Sequence, residues 1–225
     1  MSSLNARAWI SLFVLEVILT MVLFGCAGTI WYWQGWVFLL LLFLMSSGIT
    51  VDLMRRDPAL LERRMKGGPT AEPRPLQRFL MLGASVGFFG LIVIPALDFR
   101  YGWSIVPLAA VILGDVLFVV GFLLIARVFR ENTFTSATVG LAEEQRVISS
   151  GPYAIVRHPM YASALVYLLG TPLALGSYWG LLALVFMLPF LVWRLVDEEH
   201  LLVRELPGYA DYRRRVRYRL VPFVW

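Results

Sequence analysis

The chain has one cysteine, two histidines and little charge, with only 16% of its 225 residues being Asp, Glu, Lys or Arg. A single cysteine excludes an internal disulfide, and Cys26, inside the first apolar run, reads as a small buried hydrophobe. No metal site is expected. The shortage of charge, set against 59% hydrophobic residues, argues against a soluble core. Several windows of about 20 predominantly apolar residues match the thickness of a bilayer core, so the sequence describes an integral membrane protein. The first apolar run follows a single Arg7, is long for a signal peptide and has no clear small-residue cleavage site, so a retained span is expected. There is no internal repeat, and no pair of interrupted helices of the kind that marks many transporters.

The hydropathy pattern predicts an all-α protein. About four full transmembrane helices, over residues 9–30, 36–51, 79–97 and 104–129, precede a C-terminal hairpin of two shorter apolar helices, 160–175 and 179–195, and a charged amphipathic tail. Each arm of the hairpin is short for a crossing, so it spans with tilt or sits partly within protein. Residues 1–128 form the transmembrane part with its basic loop, and 129–225 a second functional region of the same integrated domain. Trp31, Tyr32, Trp33 and Trp36 place the first turn at a membrane interface. Basic residues sort to one side. With Arg127 and Arg194 counted at the ends of their spans, the segments before the first span, between the second and third, after the fourth and at the C-terminus hold one, seven, four and seven, against Arg100 alone in the opposite turns. That asymmetry puts both termini and the large loops in the cytoplasm, as for a bacterial-type inner-membrane protein. Arg213, Arg214, Arg215, Arg217 and Arg219 suit anionic lipid headgroups in preference to nucleic acid.

Two polar knots interrupt this apolar background. The first, Gly151–Tyr161, holds Tyr153, Arg157, His158, Pro159 and Tyr161, and its prolines shape a loop that feeds a helix starting near Pro159 or Met160. Arg157 and His158 then stand at a helix N-terminus, where unpaired N–H groups attract anions. The second, Arg194-Leu195-Val196-Asp197-Glu198-Glu199-His200, follows the last apolar run, with Arg194 and Glu198 four apart on one helix face. On its own it could be a solvated helix end with an ordinary ion pair. A hairpin, however, returns its ends to each other, so Arg157, His158, Arg194, Glu198 and Glu199 are expected to converge in one cytoplasmic pocket.

These residues, together with Leu206-Pro207-Gly208-Tyr209, Tyr212 and Pro222, resemble the isoprenylcysteine carboxyl methyltransferase family and its bacterial relatives. Phe129-Arg130-Glu131-Asn132-Thr133-Phe134 and Trp31-Tyr32-Trp33-Gln34-Gly35-Trp36 look like the bacterial branch as well. The resemblance is dense over about 129–225, and departs at Ala162, where relatives often carry Gly. It implies a membrane methyltransferase that uses S-adenosylmethionine without a Rossmann domain and takes a lipid or lipidated acceptor from the bilayer. Carried over, Tyr153, Arg157, His158, Pro159, Tyr161, Glu198 and Glu199 become cofactor-pocket candidates. Arg194, as holder of the acceptor, and Glu198 become the catalytic candidates. Carboxyl O-methylation is the first expectation. Phospholipid N-methylation, an NADPH-dependent sterol-type reductase and a non-catalytic membrane module are the alternatives.

Methyl transfer from a sulfonium is an in-line displacement, for which the protein mainly aligns donor and acceptor in a dry site. A carboxylate acceptor is already ionised and needs an arginine clamp and no base. An amine acceptor needs His158 or a glutamate to take its proton. Glu16 and Asp115 are acids within apolar spans, either functional or hydrogen-bonded between helices. Asn132 and Gln145 are pocket candidates in a loop, His200 reads as surface, and Tyr209 and Tyr212 as residues packing the tail. A reporter fused after Trp225 should be active only in the cytoplasm; activity on the far side would reverse the topology.

Overall fold

Hydrocarbon offers the backbone no partner but itself, so the apolar runs of this chain fold as helices, and Gly- and Pro-containing breaks set their ends. The computed structural model describes residues 3–141 and 145–225. Among them it has eight α-helices and no strand: α1 (Ser3–Ala27), α2 (Trp33–Arg56), α3 (Pro58–Met65), α4 (Pro75–Tyr101), α5 (Leu108–Glu131), α6 (Pro159–Ala174), α7 (Gly180–Glu205) and α8 (Tyr209–Arg215). Short 3-10 turns lie at Pro69–Ala71 and Gly151–Ala154. Prolines open α3, α4 and α6, where their missing N–H costs nothing.

Five of these helices, α1, α2, α4, α5 and α7, are long and apolar enough to cross a bilayer. The chain is an all-α integral membrane protein. The C-terminal hairpin differs from the sequence expectation of two short arms. α7 does not stop where its charges begin but runs for 26 residues to Glu205, a full span that carries the second polar knot on its final turns. α6 is short, at 16 residues, yet its end reaches the level of the other turns. Tyr32 donates its hydroxyl to the Leu175 carbonyl, and Ser177 Oγ donates to Asp98 Oδ2 at 2.5 Å. Asp98 also accepts from the Ser104 backbone N–H and hydroxyl, at 2.6 and 2.7 Å. One buried carboxylate thus ties the α4–α5 turn to the α6–α7 turn, each serine supplying a donor that the acid needs once it leaves water. Trp31, Trp33, Trp36, Tyr101, Trp103, Tyr178 and Trp179 are all exposed around these turns, an aromatic girdle of the kind found at headgroup level.

Outside the girdle, large apolar residues such as Phe13, Leu40, Phe43, Leu82, Ile112 and Val185 face outward, as a lipid-facing surface requires. Helix association then rests on close backbone packing, since lipid tails are as apolar as leucine. α5 and α6 meet through Gly114, Gly121 and Gly170. A Cβ at Gly114 would lie 2.2 Å from the Ala174 nitrogen, and one at Gly170 would lie 2.6 Å from the Gly114 carbonyl. At the other end of the bundle, α3 is capped by Asp57, which accepts from the Leu60 N–H at 2.9 Å. It buries Leu60 and Leu61 against Ala8, Leu53 and Phe129, which fixes the basic face of α3 over the polar end of the bundle.

Gly170→Leu should lower the thermal midpoint in detergent by the equivalent of about 3 kcal/mol, because the added atoms meet backbone that cannot move aside. Gly48→Ala, on α2 where a Cβ meets nothing within 4 Å, should cost nothing. Equal midpoints for Gly170→Leu and the parent would show that α5 and α6 do not approach this closely.

Candidate active site

A helix that leaves hydrocarbon while still carrying Arg194, Asp197, Glu198 and Glu199 must give each charge a partner, and successive residues point about 100° apart. Each of the four finds its own set of partners, with Gln77 shared between Arg194 and Asp197. Arg194 is buried, at 6% exposure. Its Nη1 donates to Gln77 Oε1 at 2.7 Å and its Nη2 to the Ala137 carbonyl at 3.0 Å, and Nη2 also lies 2.5 Å from Glu72 Oε1. Asp197 accepts from Arg74 at 2.8 Å and from the Gln77 amide. The stretch from Glu72 to Gln77, at the entry to α4, therefore grips the base of α7.

Glu199, at 1% exposure, sits between two guanidinium groups. Its Oε1 accepts from Arg157 Nε and its Oε2 from Arg219 Nε, both at 2.6 Å. Arg157 continues the chain of contacts, donating Nη1 to the Val216 and Arg217 carbonyls at 2.8 and 2.7 Å. The backbone N–H groups of Arg157 and His158 donate to Tyr218 and Arg219 at 2.9 and 3.0 Å. The tail is closed onto the first polar knot by Tyr212, whose hydroxyl donates to the Tyr153 carbonyl at 2.7 Å. Glu198 faces another way and accepts from the Tyr161 hydroxyl at 2.7 Å.

Between these clusters lies a cavity of about 940 Å³. Tyr153, Arg157, His158, Pro159, Tyr161, Arg194 and Glu198 all line it, so the structure brings together seven of the eight residues singled out from the sequence. Glu199 is the exception. It does not line the cavity, and both its oxygens are taken by arginines, so in this structure it anchors Arg157. Arg194 lines the wall, with its guanidinium held by Glu72, Gln77 and the Ala137 carbonyl. Asn132 and Gln145 line the cavity too, as do Tyr209 and Tyr212 from the tail. His200 is exposed. Glu16 and Asp115 do not line the cavity.

His158 occupies the N-cap position of α6 and is buried. Desolvation pulls its pKa below the ordinary imidazole value, against the opposing pull of Glu198 and Glu199, so the ring is neutral at neutral pH. Its Nε2 is buried with no hydrogen-bond partner among the described residues. A buried nitrogen without a partner is costly, and this one lies in a cavity wall. Burial also pushes the Tyr153 phenol up to about 12 despite a 2.9 Å hydrogen bond from Asn132 Nδ2. The phenols of the site are therefore donors or acceptors and not bases.

The lining divides by depth along the helices, since Leu168 on α6 and Leu191 and Met187 on α7 stand about two to three turns from Tyr161 and Glu198, which makes a polar and an apolar end. Tyr153, His158, Tyr161 and Glu198 surround one, while Met81, Phe88, Leu168, Met187 and Leu191, from α4, α6 and α7, line the other. Residues 109–206 match the family model of phospholipid methyltransferases. This region is just under half of the chain and covers all but the first residue of α5, both polar knots and the whole α6–α7 hairpin. That family is related to the isoprenylcysteine carboxyl methyltransferases, and the match supports a membrane methyltransferase. No curated protein matches the chain. The matched region supplies most of the polar end of the cavity, whereas Arg64, Met81 and Phe88 come from outside it.

The donor set suits S-adenosylmethionine. Glu198 can take the ammonium or the ribose hydroxyls, His158 Nε2 can hydrogen-bond a heteroatom, and the tyrosine rings offer faces to the nucleoside base and to a sulfonium. Sequence reasoning missed Glu72, Arg74 and Gln77, which hold α7 in place; the available signal was Glu72 standing almost alone among cations just before the proline-marked start of α4. Replacing Glu199 by Gln should destabilise the protein by about 3–5 kcal/mol, because Arg157 and Arg219 keep their charges without a counter-ion. The neighbouring exposed change, His200→Gln, should stay within about 0.5 kcal/mol. Denaturation in detergent measures both, and a harmless Glu199→Gln would contradict the anchoring role.

Proposed function

We propose that this protein is an S-adenosylmethionine-dependent methyltransferase that O-methylates a carboxylate on a lipophilic acceptor. The observation that carries the reading is the single cavity with one polar and one apolar end, which lets a water-soluble donor and a lipid-borne acceptor meet. The cofactor supplies an electrophilic methyl group on a sulfonium. Tyr153, His158, Tyr161 and Glu198 would hold it, with Arg157 and Pro159 shaping the wall around them. The tail, folded over Arg157 and His158 by the backbone pairing at Tyr218 and Arg219, keeps water from the reacting atoms, which favours alignment over hydrolysis. An ionised carboxylate presents its own nucleophilic oxygen, so no residue has to remove a proton.

A second reading, N-methylation of a phospholipid amine, is favoured by the match over residues 109–206. An ammonium has to lose its proton before it can attack, and the neutral His158, with its free Nε2, is the residue suited to take it. In both readings the polar end faces the cytosol of a bacterial-type inner membrane, the apolar end opens to the acyl region, and the exposed Arg213, Arg214 and Arg215 of α8 rest on anionic headgroups.

Calorimetry on purified protein should show S-adenosylmethionine binding and no NADPH binding, with His158→Ala and Glu198→Ala each weakening the donor tenfold or more. Labelled methyl groups transferred to membrane lipid should leave as methanol in base, the mark of an ester; a base-stable product would select the amine reading. A parent protein without affinity for the donor would overturn both.

A further inference from the structure

Four arginines line the cavity, and their partners differ. Arg157 is paired with Glu199 and Arg194 with Glu72. Arg146 is exposed and lies two residues from the stretch that falls outside the described residues. Arg64 is half-buried and held by a different set of partners. It projects from the last turn of α3 and donates Nη1 to the Ser136 carbonyl at 2.6 Å. Its guanidinium carbon lies 5.2 Å from the centroid of the Phe129 ring. No carboxylate of the described residues pairs with it. A carbonyl and an aromatic face hold a guanidinium in place, but neither cancels its charge.

Its surroundings show where that charge acts. Tyr161 and Glu198, at the polar end, and Tyr167, which packs against the apolar clusters, all lie within electrostatic reach of Arg64. All three line the cavity together with Arg64, so the cation faces both the polar and the apolar lining. Burial lowers its pKa from the ordinary arginine value, so holding the charge there costs free energy that an anion entering the cavity would offset. The backbone around Arg64 is fixed from both sides, by Leu60 and Leu61 in the core and by Arg63, which donates to the Thr133 carbonyl.

We infer that Arg64 is the binding residue for an oxyanion of the acceptor, a carboxylate or a phosphate diester, facing both the polar and the apolar lining. This rests on the methyltransferase reading and deepens it: the acceptor carries a negative charge next to its hydrocarbon. If the oxyanion is a carboxylate, it is the group that is methylated. If it is a phosphate diester, Arg64 holds the headgroup while an amine extends toward Glu198 and His158.

The test is equilibrium binding of labelled dodecanoate, dodecyl methyl phosphate and dodecanol to the full chain in nanodiscs, with S-adenosylmethionine affinity measured alongside. The parent should bind at least one of the two anions tenfold or more tighter than dodecanol. Arg64→Gln should remove that preference without changing affinity for dodecanol or for the methyl donor, and Arg64→Lys should restore part of it. Preference for dodecanoate alone identifies a carboxylate acceptor, and preference for the phosphate alone a lipid headgroup. A parent that shows no preference for either anion, or an Arg64→Gln protein that keeps it, overturns the inference. A missing donor affinity with an intact anion preference would instead reject the methyltransferase reading and leave the anion site standing.

Discussion

A charge at the edge of hydrocarbon is costly wherever nothing neutralises it. The last turns of α7 carry one arginine and three acids within six residues, and most of the architecture at this end of the protein follows from giving them partners. Glu199 draws in Arg157 and Arg219, Arg194 draws in Glu72, and Asp197 draws in Arg74. These pairs tie three distant stretches of chain to one helix. They hold the first polar knot, the α3–α4 connection and the tail around a common space, in which Glu198 and the His158 nitrogen remain directed inward.

The opposite end is governed by a similar need on a smaller scale. Asp98 gathers Ser104 and Ser177, and Tyr32 caps the end of α6, so the turns of α4–α5 and α6–α7 are fixed to each other. Between these two polar layers the helices approach through glycines and leave a slot of methionine, phenylalanine and leucine side chains. On the proposed reading, this slot is where the hydrocarbon of the acceptor would lie while its head reaches the polar end.

Much of this was readable in the sequence. The apolar runs gave the first two and the α4 and α5 spans, because burial in lipid forces length and hydropathy onto a helix. That Arg157 and His158 come near Arg194, Glu198 and Glu199 followed from a hairpin whose two ends are both polar. The length of α7 did not follow, because hydropathy ends where charge begins, whereas the helix continues as long as its charges find partners. Glu72, Gln77 and the Ala137 carbonyl were hidden for another reason. They meet Arg194 only in the folded protein, and a carbonyl carries no mark in the residue type that presents it. Arg64 looked like one of seven cations in a solvated loop, and only the burial of α3 on Leu60 and Leu61 turns it toward the cavity. The two glutamates of the second knot looked equivalent in sequence, and helical phase alone separates the one that faces the cavity from the one locked between arginines.

The account stands on the cavity between α6 and α7 being the seat of the methyl donor. A structure determined with S-adenosylhomocysteine bound measures this most directly. The nucleoside is predicted to lie in contact with Glu198, His158 and Tyr161, with its sulfur turned toward the apolar end. Density for the ligand at any other surface, with this cavity empty or filled only by lipid, would contradict it.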